Sequence, residues 1–198
     1  MFRFRIRDCR VGIHFSAFVL LAFCNLFAGL QNGGLMLLSV ALHEGAHLAM
    51  MFSLNRAPDE ILISGLGLRI QLPYGGHLSY GDSIKISLAG PLANLLAAVI
   101  AVLLGVRELA FINLAIGCVH LLPIEPLDGG LALRAFLSAR MGAERGARWS
   151  LAVSVTFLFP MLTIGFMLLL RSRYNFSLFL LSVYLLLYLV LKKDLFTG

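Results

Sequence analysis

Six apolar runs dominate the chain, at residues 11–30, 35–52, 84–104, 109–122, 151–170 and 176–191. About 20 such residues in a helix cross roughly 30 Å of hydrocarbon, and most of these runs reach or approach that length. The pattern predicts an all-α polytopic membrane protein with about six transmembrane helices. Composition agrees, with 60% hydrophobic and 13% charged residues against roughly 45–50% and 25% in soluble domains. The first run exceeds the apolar region of a typical signal peptide, and no small-residue cleavage site precedes the next run, so it is expected to remain in the protein.

Basic residues set the expected orientation, because Lys and Arg are retained on the cytoplasmic side of short loops. With a cytoplasmic N-terminus, all 16 except Arg107, Arg171 and Arg173 fall inside. Both termini are then cytoplasmic, as expected of an integral protein of a bacterial cell membrane. The same asymmetry accounts for the net charge of +6 as a retention signal beside anionic lipid, so no nucleic-acid partner is implied. The cysteines, Cys9, Cys24 and Cys118, are odd in number and form no CxxC pair, which argues against a disulfide framework or a thiolate zinc site. No repeat or soluble appendage is visible, and residues 1–198 read as a single membrane domain.

Inside the second run, "SVALHEGAHLAMMF" (residues 39–52) carries three ionisable side chains where such groups are costly. On a helix His43 and His47 lie one turn apart on one face, so both can ligate a metal at about 2.0–2.1 Å. Glu44 lies beside them as a base for water activated at that metal. The alternative is a set of packed polar groups bonded to backbone, which is the preferred reading of the isolated His14 and His77. A further donor at membrane depth favours the metal. Asp128, in "HLLPIEPLDGG" (residues 120–130), follows an apolar run, and Pro123 and Pro126 should break the helix and turn the carboxylate back toward the bundle. Gly129 and Gly130 permit close backbone approach. Taken alone, the segment also reads as a helix-ending turn at the interface.

Together HEGAH, "SLAGPLAN" (residues 87–94) and "LLPIEPLDGG" resemble, in order and spacing, the intramembrane zinc metalloproteases of the site-2 protease family, peptidase M50, especially its compact SpoIVFB-like branch. The opening "VGIHFSAFVLL" resembles that branch's first span. The resemblance implies that His43, His47 and Asp128 hold one zinc ion per chain while Glu44 activates water. Residue chemistry agrees, since two imidazoles and a carboxylate leave the open position that hydrolytic zinc sites need, and the metal's charge compensates the buried acids. The implied substrate is the membrane-associated segment of another protein, cleaved near the cytoplasmic face, with a membrane regulatory protein able to govern access. The branch's C-terminal CBS domain and the PDZ insertions of other branches are not expected in this chain. His120 stands where the family usually has an asparagine held to stabilise the oxyanion. It is expected to donate to that oxyanion in its place, the alternatives being a fourth zinc ligand or a packing residue.

Between the second and third runs, Leu66, Leu68, Ile70 and Leu72 alternate with Gly67, Arg69 and Gln71. This period of two predicts short strands around a turn at residues 73–76, a small membrane-associated β-hairpin or sheet between helices 2 and 3. Its edge could hold an unwound substrate by β-addition, as the resemblance also implies; a simple amphipathic hairpin is the alternative. Two other functions fit parts of the pattern. A metal transporter can carry HExxH in a span, but the complementary "HNxxDG"-like ligands of ZIP-type carriers are missing. An inactive membrane adaptor of the same fold would be compatible with His120.

Overall fold

The computed structural model describes residues 2–6, 9–13, 15–56, 60–64, 67–71, 78–171 and 176–194, with side chains described over 32–56, 78–171 and 176–191. Every element whose side chains are described is a helix: α1 (Phe15–Ser53), α2 (Tyr80–Leu103), α3 (Arg107–His120), α4 (Asp128–Met141), α5 (Ala143–Arg171) and α6 (Ser177–Asp194). Packing divides the chain into two units, Met1–Cys118 and Val119–Gly198.

The expected fold class requires correction. Among the described residues, three helical segments are long and apolar enough to cross a membrane: Asn32–Ser53, Tyr80–Leu103 and Ala143–Arg171, with Ser177–Leu191 apolar but shorter. The first two apolar runs are not separate helices, because α1 continues through Gln31, Asn32, Gly33 and Gly34. Glycine inside a helix costs only about 1 kcal/mol and no proline intervenes, so this polar interruption does not break the helix. The third helix has 14 residues, which at about 1.5 Å per residue falls short of the hydrocarbon thickness. The hairpin expected between helices 2 and 3 is not supported. Its turn, at residues 73–76, lies outside the described residues, and among the described residues no strand stands between Gln71 and α2 to pair across it. The backbone of Gly67–Gln71 pairs instead with Glu60–Ser64, which in turn runs parallel to Cys9–Ile13. Alternation along a strand fixes which residues share a face, but not the partner.

In the first unit α1 packs along α2. Ser79 caps α2 by accepting from the Asp82 amide (3.0 Å), and Arg56, just beyond α1, pairs with the Asp82 carboxylate at 3.5 Å. Gly90, Pro91, Asn94, Ala98 and Ala101 are the buried positions of α2. In the second unit, α5, α6 and the segment 121–127 enclose a core of Ile124, Leu158, Met161, Leu185 and Leu189. Ile124 belongs to the irregular segment 121–127 and is fully buried. This anchors the segment that leads into Asp128.

Candidate metal centre

His43 and His47, on α1, are 3% and 8% exposed. Their rings meet edge to face, 4.8 Å between centroids at 82°, and their Nε2 atoms stand 3.2 Å apart. The opposite nitrogens show which tautomers are present. His47 Nδ1 lies 2.6 Å from the Ile86 carbonyl oxygen, which can only accept, so Nδ1 carries the proton. His43 Nδ1 lies 2.7 Å from Asn94 Oδ1. The Asn94 amide donates to the Ser39 carbonyl (3.1 Å) and to Asn113 Oδ1 (2.8 Å), which fixes its oxygen toward His43. His43 Nδ1 is therefore the donor too. Both imidazoles then direct the basic Nε2 lone pair to one place, and a positive centre between them reconciles the two.

Gly90 of α2 forms the wall of this place. A Cβ added there would overlap His47 Nε2 and Cε1 and His43 Cε1. The absent side chain leaves room where the two lone pairs converge, and this geometry fits a divalent cation held by both Nε2 atoms. Glu44, the next residue after His43, is half-buried.

In the second unit, Asp128 is the first residue of α4, with Leu127 as N-cap. A carboxylate in the first turn of a helix is favoured by the helix dipole. Asp128 Oδ2 accepts from His120 Nδ1 at 2.7 Å, the two side chains being 15% and 36% exposed. The chain between them folds tightly: a Cβ on Gly129 or Gly130 would overlap the backbone of Leu121 and Leu122, or of Ile124 and Glu125. These two glycines let α4 begin directly against its own approach segment.

Glu125, in the same segment, is 2% exposed. Its carboxylate accepts from Ser150 Oγ (2.8 Å) and from Arg134 (3.3 Å), and its amide donates to Ser154 Oγ (3.1 Å). The segment is thus tied to α4 through Arg134 and to α5 through Ser150 and Ser154.

The residue pattern pointed to His43, Glu44, His47, His120 and Asp128 but not to their supports. Ser39, Gly90, Asn94, Asn113 and Glu125 had no assigned role, although their signal was present. Asn94 and Asn113 are polar residues within apolar runs, and Glu125 is an acid between two prolines. Within apolar helices such residues require partners, and here those partners lead to the histidines and to the Asp128 segment.

The fold is shared with a solved site-2 protease. The chain is similar to the solved structure of the site-2 protease from Methanocaldococcus jannaschii, with a TM-score of 0.65 at 22% identity over 93% of this chain and 91% of that one. In sequence it is 29% identical over 161 residues to stage IV sporulation protein FB of Bacillus subtilis, covering 76% of this chain and 56% of the relative. It is 26% identical over 160 residues to a zinc metalloprotease of Methanocaldococcus jannaschii, covering 71% of this chain and 45% of the relative. The chain therefore spans about half the length of the curated relatives it matches. No protein-family model matches it. With these similarities and its long apolar helices, the chain is a membrane protein similar to site-2 proteases.

Proposed function

We propose that this chain is an intramembrane zinc metalloprotease that hydrolyses a peptide bond in or near the membrane-associated segment of another protein, near the cytoplasmic face. The observation that carries the reading is the convergence of the His43 and His47 Nε2 atoms at 3.2 Å, with each Nδ1 already committed as a donor. A buried pair held in these tautomers suits a cation better than it suits packing. The sequence relatives support zinc as that cation and proteolysis as the activity, since one is named a zinc metalloprotease.

The proposed donor set, carried by the sequence motifs, is His43, His47 and Asp128, two imidazoles and a carboxylate. Zinc bound there supplies Lewis acidity and makes water nucleophilic at neutral pH. Glu44 takes the proton of the attacking water and delivers it to the leaving amide nitrogen. His120 holds one oxygen of Asp128 by its Nδ1–H, which directs the carboxylate toward its ligand role. Both termini lie on the cytoplasmic side, following the basic residues.

The test is co-expression with candidate single-span proteins, comparing wild type with Glu44→Gln. A shortened product that requires Glu44 and disappears on chelation supports the reading. Equal product from the Glu44→Gln protein, or no zinc in the purified wild type, would overturn it.

A further inference from the structure

The metal reading leaves unexplained why two buried asparagines and a buried serine gather behind His43. Asn94 is 0% exposed, Asn113 and Ser39 1% each. They come from α2, α3 and α1, and all belong to the first unit. We propose that Asn94, with Asn113 and Ser39 behind it, is a tautomer lock that keeps His43 Nε2 as the metal-binding nitrogen; the proposal rests on the zinc reading above and deepens it.

The argument depends on direction. A side-chain amide is nearly symmetric in shape, so Asn94 could sit with either its oxygen or its nitrogen toward His43. The two settings have opposite consequences. With the oxygen forward, Nδ1 must be the donor and Nε2 the base. With the nitrogen forward, Nδ1 becomes the acceptor, the proton moves to Nε2, and a protonated Nε2 cannot ligate a metal.

Three backbone carbonyls, which only accept, exclude the second setting. Asn94 Nδ2 donates to the Ser39 carbonyl at 3.1 Å. Its other proton goes to Asn113 Oδ1 at 2.8 Å. Asn113 is itself directed, because its Nδ2 donates to the Leu109 carbonyl (2.9 Å) and to Ser39 Oγ (2.9 Å). Ser39 Oγ can accept there because its own proton goes to the Leu35 carbonyl at 2.8 Å. Every donor and acceptor in the relay is thereby assigned, ending on the carbonyls of Leu35, Ser39 and Leu109. Flipping Asn94 would set its oxygen against two acceptors in a buried site. A buried polar group left unsatisfied costs about 1–3 kcal/mol. The lock joins three helices, so the direction of one imidazole is set by tertiary structure.

The experiment measures zinc affinity by competition with a chromophoric chelator, and thermal stability of the metal-free protein, on the purified full chain in detergent. Asn94→Asp keeps an oxygen for His43 Nδ1–H but loses both donors. It is expected to unfold more easily while holding zinc within about threefold of wild type. Asn94→Leu keeps the volume and removes the oxygen. It is expected to stay folded but to bind zinc about 10- to 100-fold more weakly, the range seen when a ligand's orienting partner is lost. Asn113→Asp, which keeps the acceptor for Asn94, should bind like wild type, and Asn113→Leu more weakly. A packing role predicts the reverse order, with Leu harmless and Asp harmful to zinc binding. Wild-type affinity in both Leu variants would overturn the lock, and so would equal loss in Asn94→Asp and Asn94→Leu. Should Asn94→Leu not fold, the two Asn113 variants decide on the same criterion. Zinc binding by wild type and its loss in His43→Ala separate the two levels: if wild type binds no zinc the metal reading fails, whereas binding that ignores these substitutions defeats only the lock.

Discussion

Glu125 gives the sharpest test of how the segment leading to Asp128 is held. Among the described residues its carboxylate makes two contacts of unequal strength, and the geometry separates them. Ser150 Oγ donates at 2.8 Å within a fully buried pair. Removing that acceptor should cost about 2 kcal/mol, within the range for a buried group deprived of its partner. Arg134 stands at 3.3 Å with its side chain 32% exposed. That is longer than the roughly 2.7–2.9 Å of a strong charge-assisted bond, and water reaches the guanidinium, so its share is about 1 kcal/mol. Glu125→Gln keeps an oxygen for Ser150 and should lose only the smaller share. Glu125→Ala loses both, about 3 kcal/mol, at the low end for breaking a buried pair because Arg134 can turn to solvent. The assay is reversible unfolding in mixed micelles followed by the fluorescence of the sole tryptophan, Trp149, which adjoins Ser150 in sequence. A double-mutant cycle of Glu125→Gln with Arg134→Met should return a coupling near 1 kcal/mol. Equal stability of Glu125→Gln and Glu125→Ala, or Glu125→Ala within about 0.5 kcal/mol of wild type, would refute the reasoning, since surface-like positions show no more than that.

Four further outcomes are expected. Glu44→Gln should retain zinc and lose cleavage, whereas His43→Ala, His47→Ala and Asp128→Ala should lose both, as read by metal analysis and product formation. Gly90→Ala should reduce zinc binding by at least tenfold, because its Cβ overlaps the nitrogen and carbon atoms of the histidine rings; unchanged affinity would mean that α1 and α2 separate easily. For His120, holding Asp128 by Nδ1 predicts that His120→Ala weakens zinc about tenfold and that His120→Asn restores most of it. Unchanged affinity with cleavage down about 100-fold would favour the oxyanion role instead. Reporter fusions should place both termini on the cytoplasmic side, and termini on opposite faces would remove the proposed orientation.

The sequence by itself determined the solvent and the order of the motifs, and it carries the residue types on which the proposed chemistry rests. Long apolar runs require a bilayer, and His43, Glu44 and His47 need only helical periodicity to fall on one side of α1, because that relation is local. The prolines around Glu125 likewise announced the break between α3 and α4. What the sequence did not decide depends on contacts between distant residues. Whether residues 31–34 bend or continue α1, which strand Gly67–Gln71 pairs with, and which helices are long enough to span are settled by competing interactions of similar energy. Asn94, Asn113 and Ser39 are the clearest case. They are 19, 74 and 55 residues apart pairwise along the hydrogen bonds that join them, so no local pattern links them. Only when α1, α2 and α3 pack do three carbonyls fix the amide directions. His43 and Asn94, which the sequence sets 51 residues apart, thus become one unit with a defined proton position. Residue type is written in the chain, but the direction of a hydrogen bond is decided by the group that tertiary folding places opposite it.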